Sequence, residues 1–450
     1  MTLSDVLKRF DEASIHRVKL GAFDIDGILR GKHVSRKKFE SSAASGLGFC
    51  DVIFGWDIAD LLYAHPGVTV TGWHTGFPDA TARIDLETCR IIPWEPGTAL
   101  LLLDLCDKHG DPLPLAPRNL FRHVASKASA LGYDAHFAAE YEFFLFRESP
   151  ESLRQKNFRN LTPLSPGMFG YSVLRASQHS PIVLDLFDQL ESFDVPLEGI
   201  HTETGPGVYE AAIHAANGIH PADRAALFKT AAKEICSRHG IIPTFMAKCN
   251  HDLPGCGGHI HQSLWDHEKG ANLFHADDHS MSDLMQSYTA GLLRYLPELM
   301  LMHCPTVNSY KRTVPGTWAP INATWAIDNR TSAVRAIPGR AKSARTEMRL
   351  TGADANPYLA MAACLAAGLE GIDNQLDLPP ATSNAYEASD APALPSSIEQ
   401  AIALFRQSHL ARRWFTDAFV DHYAATREWE ARQYSKAVTD WELARYFESI

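Results

Sequence analysis

Several familiar signatures are missing from this 450-residue chain. It has no GxxxxGK[ST] loop, which excludes a P-loop nucleotide site. No GxGxxG follows a strand-like run, and GxSxG and HExxH are absent. No stretch approaches the roughly 20 apolar residues of a membrane span. The first residues, MTLSDVLKRFDEASIHRVKLGAF, are polar and amphipathic and lack the apolar region of a secretory signal. No run of Lys and Arg is longer than Arg36-Lys37-Lys38, and the formal net charge of −11 argues against nucleic-acid binding. The 8 cysteines form no CxxC pair and read as reduced thiols of a cytoplasmic protein. Cys249 and Cys256 flank His251 and stand near His259, but their spacing fits no closed zinc site.

What is present is ordinary for a soluble globular protein: 45% hydrophobic and 21% charged residues. The length suggests about two or three domains. Residues 15–36 alternate as two strands around Asp26-Gly27, and strand-like runs follow at 68–72, 89–93 and 98–105. The proline cluster DPLPLAP (111–117) marks a boundary after this strand-rich part. Beyond it, helix and strand alternate. Helices are expected at 119–132, at 220–240 between Pro221 and Gly240, at 281–302, and at 356–371 with Asn356 as N-cap. Residues 135–148 read as a strand, 379–397 as an exposed Pro/Ser/Ala-rich loop, and the last 50 residues as helical.

Three pairs of residues suggest metal chemistry. In AAEYEFFLF, Glu140 and Glu142 lie two apart and share a strand face. Adjacent carboxylates repel unless something positive sits between them. In HTETGPGVYE, Gly205-Pro206-Gly207 forbids a helix, so Glu203 and Glu210 stand at two ends of a tight loop. In GCGGHIHQSLW, His259 and His261 share a face. Each pair alone is compatible with a structural role. Cations follow: Lys311, Arg312, Arg330, Arg335, Arg340, Lys342, Arg345 and Arg349, with Glu347 among them. They alternate with Trp, Pro and Gly, without the partners of a salt-bridged helix. Such a cluster suits a polyanion such as a triphosphate. Glutamates with a histidine suit Mg²⁺ or Mn²⁺, and two metals with several arginines form a phosphoryl-transfer clamp.

The ordered set EYE (140–142), E…G…E (203–210), GGHIHQSL (257–264), NSYKRTVPG (308–316), NRTSAVR (329–335), RTEMR (345–349) and NPYLA (356–360) resembles the glutamine synthetase superfamily over nearly the whole chain. That resemblance implies an α+β fold. Residues 1–113 would form a β-grasp domain, and residues 114–450 a catalytic domain with a curved antiparallel sheet. It implies a homo-oligomeric ring, often a dodecamer, with active sites between subunits. It implies ATP as co-substrate, two or more Mg²⁺ or Mn²⁺ ions, and transfer of a γ-glutamyl group through a γ-glutamyl phosphate. By motif, Glu142, Glu203 and Glu210 would hold the metal nearer glutamate. Glu140, His259 and Glu347 would hold the metal at the ATP phosphates. His261, Ser263, Arg330, Arg335, Lys342 and Arg345 would serve ATP and its phosphates. Gly255, Arg312 and Arg349 would serve glutamate, with Arg330, Arg312 and Trp318 closest to the chemistry.

The chain departs from ammonia-using members of that family in its flap. Where they carry a Glu in a PGYEAP-like run, this chain has PGTWAP, with Trp318 at the Glu position. An indole is neither base nor anion, but it offers a cation a π-face. Pro254-Gly255 and the spacing of Glu203 and Glu210 resemble the γ-glutamylpolyamine (γ-glutamylputrescine) synthetase branch, although Val208 replaces its usual Gln. Asp57 and Asp60, in FGWDIADLLY, are candidates to meet an amine nitrogen. Leu376 stands where some bacterial members carry an adenylylated tyrosine. The expectation is a ligase that joins glutamate to an organic amine. The alternatives are an ammonia-dependent glutamine synthetase with an altered flap, or a non-catalytic relative that keeps only the ring.

Overall fold

The computed structural model describes every residue except Ser389. The expected first hairpin forms β1 (Arg17–Phe23) and β2 (Leu29–Ser35), paired antiparallel. Its turn is closed by Asp24, whose Oδ1 accepts the N–H groups of Asp26 and Ile28, and by Gly27 at φ 77°. β3 (Leu47–Cys50), β4 (Asp79–Ile91) and β5 (Thr98–Cys106) complete a sheet of order β2-β1-β5-β4-β3. The run at 89–93 is the end of the longer β4, which stops before Pro93. The run at 68–72 is no strand: it lies between Gly67 and Gly72 in a succession of turns and bends.

Helix Pro117–Ala130 opens on Pro117, the last residue of the proline cluster. A second sheet follows. Its strands are β6 (Tyr133–Phe146), β7 (Leu197–Thr202), β8 (Val208–Ile213), β9 (Ala216–Asn217), β10 (Ile242–Thr244), β11 (Gly258–Asp266), β12 (Trp325–Ile327), β13 (Val334–Ile337) and β14 (Arg345–Met348). Its main order is β12-β13-β14-β11-β6-β8-β7, with β9 and β10 on the flanks of β6. All these pairs are antiparallel except β12–β13. Two mainly antiparallel sheets with separate helices give the expected α+β class.

Helices fill the core beside this sheet. Asp283–His303 packs on Pro357–Asp373 at glycine contacts: a Cβ on Gly291 would lie 2.2 Å from Ala367 O. Asn356 caps the second helix, its side chain accepting from Tyr358 N–H. Its amide nitrogen also donates to Asp24 O and Ile25 O, at 3.0 and 3.2 Å, fastening the first hairpin to the second half of the chain. Arg118 provides a second fastening. It donates to both oxygens of buried Asp223, at 2.8 and 2.9 Å, to Asp85 Oδ2 at 2.8 Å and to Asp104 Oδ1 at 2.5 Å. The excursion 379–397 is less exposed than its composition suggests. Ala385 and Leu394 are buried. Ala385 O accepts from Asn322, and the Tyr386 hydroxyl donates to Ala319 O beside Trp318.

Candidate active site

Strand register gathers residues that are scattered in sequence. On β6, Tyr141 and Phe143 enter an aromatic core with Phe228 and Phe245. Glu140 and Glu142 therefore share the opposite face. Glu140 stands across from His259 on β11, and Glu142 from Glu210 on β8, which in turn pairs with His201 on β7. His261 on β11 opposes Glu347 on β14, which opposes Arg335 on β13. The 203–208 loop turns back through Glu203 N–H to Val208 O, at 2.9 Å. Gly207, at φ 70°, makes the turn possible: a Cβ there would lie 2.8 Å from Leu145 O.

This face holds three groups of possible metal donors, each with its atoms within 4.8 Å of one another: Glu140–His259–Glu347, Glu142–Glu210–His259 and His201–Glu203–Glu210. Glu142 is aimed by Gly257 N–H, which donates to its Oε2 at 2.5 Å. His261 Nε2 lies 3.1 Å from Glu140 Oε1. Glu347, fully buried, accepts from Arg335 at 3.0 Å and is also bound by Arg349.

The charge balance of the face is uneven. Burial, followed by the fields of Glu140, Glu142, Glu203 and Glu347, pushes the Glu210 carboxyl up to about 9. Burial also disfavours charge on Glu347, but His261, Arg349 and His259 outweigh it and hold that carboxyl at about 2. For Glu140, burial is likewise outweighed, by His261 and His259, and the carboxyl is held low. The carboxylates around Glu210 thus lack the positive charge that would let all of them ionise together. Carboxylate oxygens with imidazole nitrogens suit divalent cations of the Mg²⁺ or Mn²⁺ type, so the residues present fit the expected metals.

A cavity of about 560 Å³ opens over this face, walled by Arg330, Arg335, Arg349, Gly255, Tyr171 and Trp318. Trp318 is 62% exposed and takes a left-handed φ of 62°, unusual for a bulky residue. A second cavity of about 300 Å³ shares Glu140 and is lined by His261, Ser263, Lys342, Arg345 and the His136–Trp265 ring stack. In it, Arg345 Nε donates to His261 Nδ1 at 3.0 Å, and the Trp265 indole donates to Ser263 Oγ at 3.0 Å.

Three residues singled out in the sequence lie elsewhere within the chain. Arg312 is buried behind Arg349, its terminal nitrogens donating to Leu350 O and Arg349 O at 2.9 and 3.1 Å. It packs against Gly255, where a Cβ would come within 2.7 Å of Arg312 Cγ. Asp57 is buried, with Oδ1 accepting the N–H groups of Ala59 and Leu61 and Oδ2 the Trp429 indole. Asp60 pairs with Arg30 at 2.8 Å. Neither aspartate lines the Trp318 cavity of its own chain. Conversely, His201 and Tyr171 escape the sequence reading. The HTE spacing, two residues from Glu203, could have flagged His201, whereas nothing near Tyr171 marks it.

Carboxylates, imidazoles and guanidiniums on one sheet face, under two adjoining cavities, form a site with donors for metal ions and cations for anionic groups. The chain belongs to the glutamine synthetase family: the profile of the glutamine synthetase catalytic domain matches residues 114–446. Its class is that of an ATP-dependent ligase. Among curated proteins it is 49% identical to type-1 glutamine synthetase 2 of Dictyostelium discoideum, over 96% of this chain and 84% of that one. It is 39% identical to a glutamate–isopropylamine ligase of Pseudomonas sp, over 98% and 96% of the two chains. It is 38% identical to the gamma-glutamylethanolamide synthetase GlnA4 of Streptomyces coelicolor, over 97% and 93%. Among solved structures, a GmaS/ADP complex superposes with a TM-score of 0.86 at 27% identity, covering 99% of this chain and 100% of that one.

Proposed function

We propose that this ligase joins the γ-carboxylate of glutamate to an organic amine. The observation that carries the reading is Trp318, an indole at the cavity wall where ammonia-using relatives of the resemblance carry a flap carboxylate. With Tyr171 lining the same cavity, the wall has aromatic surface for an amine's substituent and cation–π attraction for its ammonium form. Two of the relatives above bear the names of isopropylamine and ethanolamide ligases, which supports the same reading.

In this account ATP enters the cavity of Lys342, Ser263 and Arg345, and glutamate the cavity of Gly255 and Arg349. Bound divalent ions would screen the repulsion between two anionic reactants and polarise the transferring phosphoryl group. Glu140, His259 and Glu347 would hold one ion, and Glu142, Glu203 and Glu210 the other. The glutamate γ-oxygen attacks the terminal phosphorus of ATP, ADP leaves, and a γ-glutamyl phosphate forms. Arg330 and Arg335 neutralise the charge that develops on the phosphoryl oxygens. An amine held as its ammonium form first loses a proton to water; the neutral nitrogen then attacks the acyl carbon, the acyl C–O bond to phosphate breaks, and the departing phosphate takes up the proton that nitrogen releases. Trp318 acts as a lid that keeps water from the acyl phosphate. Arg312 supports the backbone that carries Arg349. Asp57 and Asp60 could reach an amine only from a neighbouring subunit. The exposed side chains of Ile58 and Leu61 on that loop favour such a ring contact.

The second reading, an ammonia-dependent glutamine synthetase, is favoured by the name of the 49% identical relative. The test is ATP-dependent phosphate release with glutamate and a panel of ammonium, methylamine, ethanolamine, putrescine, spermidine and aromatic amines. Turnover with at least one amine above that with ammonium is expected. Robust turnover with ammonium alone would reverse the assignment.

A further inference from the structure

Two imidazoles face the carboxylates of the larger cavity, and they are not equivalent. A Cβ on Gly257 would lie 2.4 Å from His259 Nε2, so that nitrogen packs against backbone and Nδ1 is the one turned to the carboxylates. His259 Nδ1 lies 3.7 Å from Glu140 Oε2 and 3.6 Å from Glu347 Oε1. Oxygens of Glu142 and Glu210 also fall within 4.8 Å of this side chain, but one lone pair serves one ion. A His259 committed to the Glu140–Glu347 side leaves the other group without a nitrogen donor.

His201 stands on that other side. Its Nε2 lies 3.1 Å from Glu203 Oε1 and 3.6 Å from Glu210 Oε1. Two donors at right angles, each about 2.1–2.2 Å from one ion, are separated by about 3.0–3.1 Å. The His201–Glu203 distance matches such an edge. The ring is also fixed from behind: Tyr171 stacks on it with centroids 4.5 Å apart and planes at 9°. Tyr171 is pinned in turn, its N–H donating to Thr202 O at 2.6 Å, while Ser172 N–H donates to Thr202 Oγ1 at 2.9 Å. It takes a left-handed φ of 55°, which a residue with a Cβ adopts only against steric strain. The backbone thus accepts strain at the residue that orients His201.

We propose that His201 is a nitrogen ligand of the ion held by Glu142, Glu203 and Glu210, and that it tilts this site from Mg²⁺ toward Mn²⁺. The proposal rests on the metal-binding reading given above. Mg²⁺ keeps to oxygen ligands and to its waters, whereas Mn²⁺ accepts an imidazole more readily. His201 thereby sets which metal the glutamate side of the site prefers.

The test titrates the full-length protein with Mn²⁺ alone, following free Mn²⁺ by electron paramagnetic resonance, and obtains Mg²⁺ affinity by displacement. In His201→Gln, the Mn²⁺-to-Mg²⁺ affinity ratio at one site should fall by about tenfold or more, with the second site unchanged. His201→Asn replaces it should the first variant fail to fold. Equal weakening of both ions, the effect of a hydrogen bond that merely orients Glu203, would overturn the proposal, as would an unchanged ratio. Glu203→Gln separates the layers of the argument. A site lost in Glu203→Gln but untouched in His201→Gln removes only the role of His201. Undiminished binding in Glu203→Gln removes the metal reading beneath it.

Discussion

Replacing Arg118 with Met should unfasten the two halves of the chain, and the structure sets the size of the effect. The Arg118 side chain is 4% exposed and answers three carboxylates, of which Asp223 is fully buried. Asp104 and Asp85 would keep Arg122, at 2.6 and 3.1 Å, and some contact with water. Asp223 would keep only the Tyr358 hydroxyl, at 2.5 Å, among its side-chain hydrogen bonds. A buried charge stripped of its partner costs about 3–5 kcal/mol. The pH dependence has a definite sign. In the wild type, burial disfavours the Asp223 carboxylate but Arg118 outweighs it, so the folded pKa is lowered. That stability is present above the ordinary carboxylate pKa of about 4 and is lost as pH falls through the folded value. Without Arg118, burial dominates, the folded pKa rises, and the variant loses stability as pH climbs above about 4. The deficit in melting temperature, at fixed protein concentration, should therefore be larger at pH 7 than at pH 5. Arg118→Met/Asp223→Asn should recover much of it. A single variant that melts with the wild type at pH 7 would refute the reasoning.

Two further outcomes are expected at the site. Glu140→Ala removes a donor from one metal group and the carboxylate partner of His259 and His261. Glutamate-dependent ADP formation should fall on the order of a hundred- to a thousandfold, and near-normal activity would refute the assignment. Trp318→Glu exchanges a π-face worth about 0.5–2 kcal/mol, or about 2–30-fold, for a carboxylate. The kcat/KM ratio of ammonium to amine should rise by at least that factor, and an unchanged ratio would remove Trp318 from the argument.

Local rules carried much of the way from sequence to site. Period-two spacing put Glu140 with Glu142, and His259 with His261, each pair on one face. The Gly-Pro-Gly loop brought Glu203 toward Glu210, Pro221 marked the start of helix His220–Arg238, and Asn356 that of helix Pro357–Asp373, whereas helix Pro117–Ala130 begins two residues before the expected 119. What local spacing does not show are contacts made at long range. Asp57 looks free in its loop until helix Asp417–Ser435 brings up Trp429, 372 residues later. Arg312, a glutamate candidate by motif, donates from its terminal nitrogens to the backbone at Arg349 and Leu350. Tyr171 reaches the site only because its loop is tied to Thr202. Residues 68–72 have strand-like composition, but the turns around them leave no neighbour to pair with.

The claim that organic amines are the nucleophiles is tested most directly by competition. The enzyme is given ATP, glutamate and equal concentrations of ammonium and one amine from the panel, and the products are identified by mass. The account predicts that, for at least one amine, the γ-glutamyl amide exceeds glutamine. Glutamine as the sole product with every amine would contradict it.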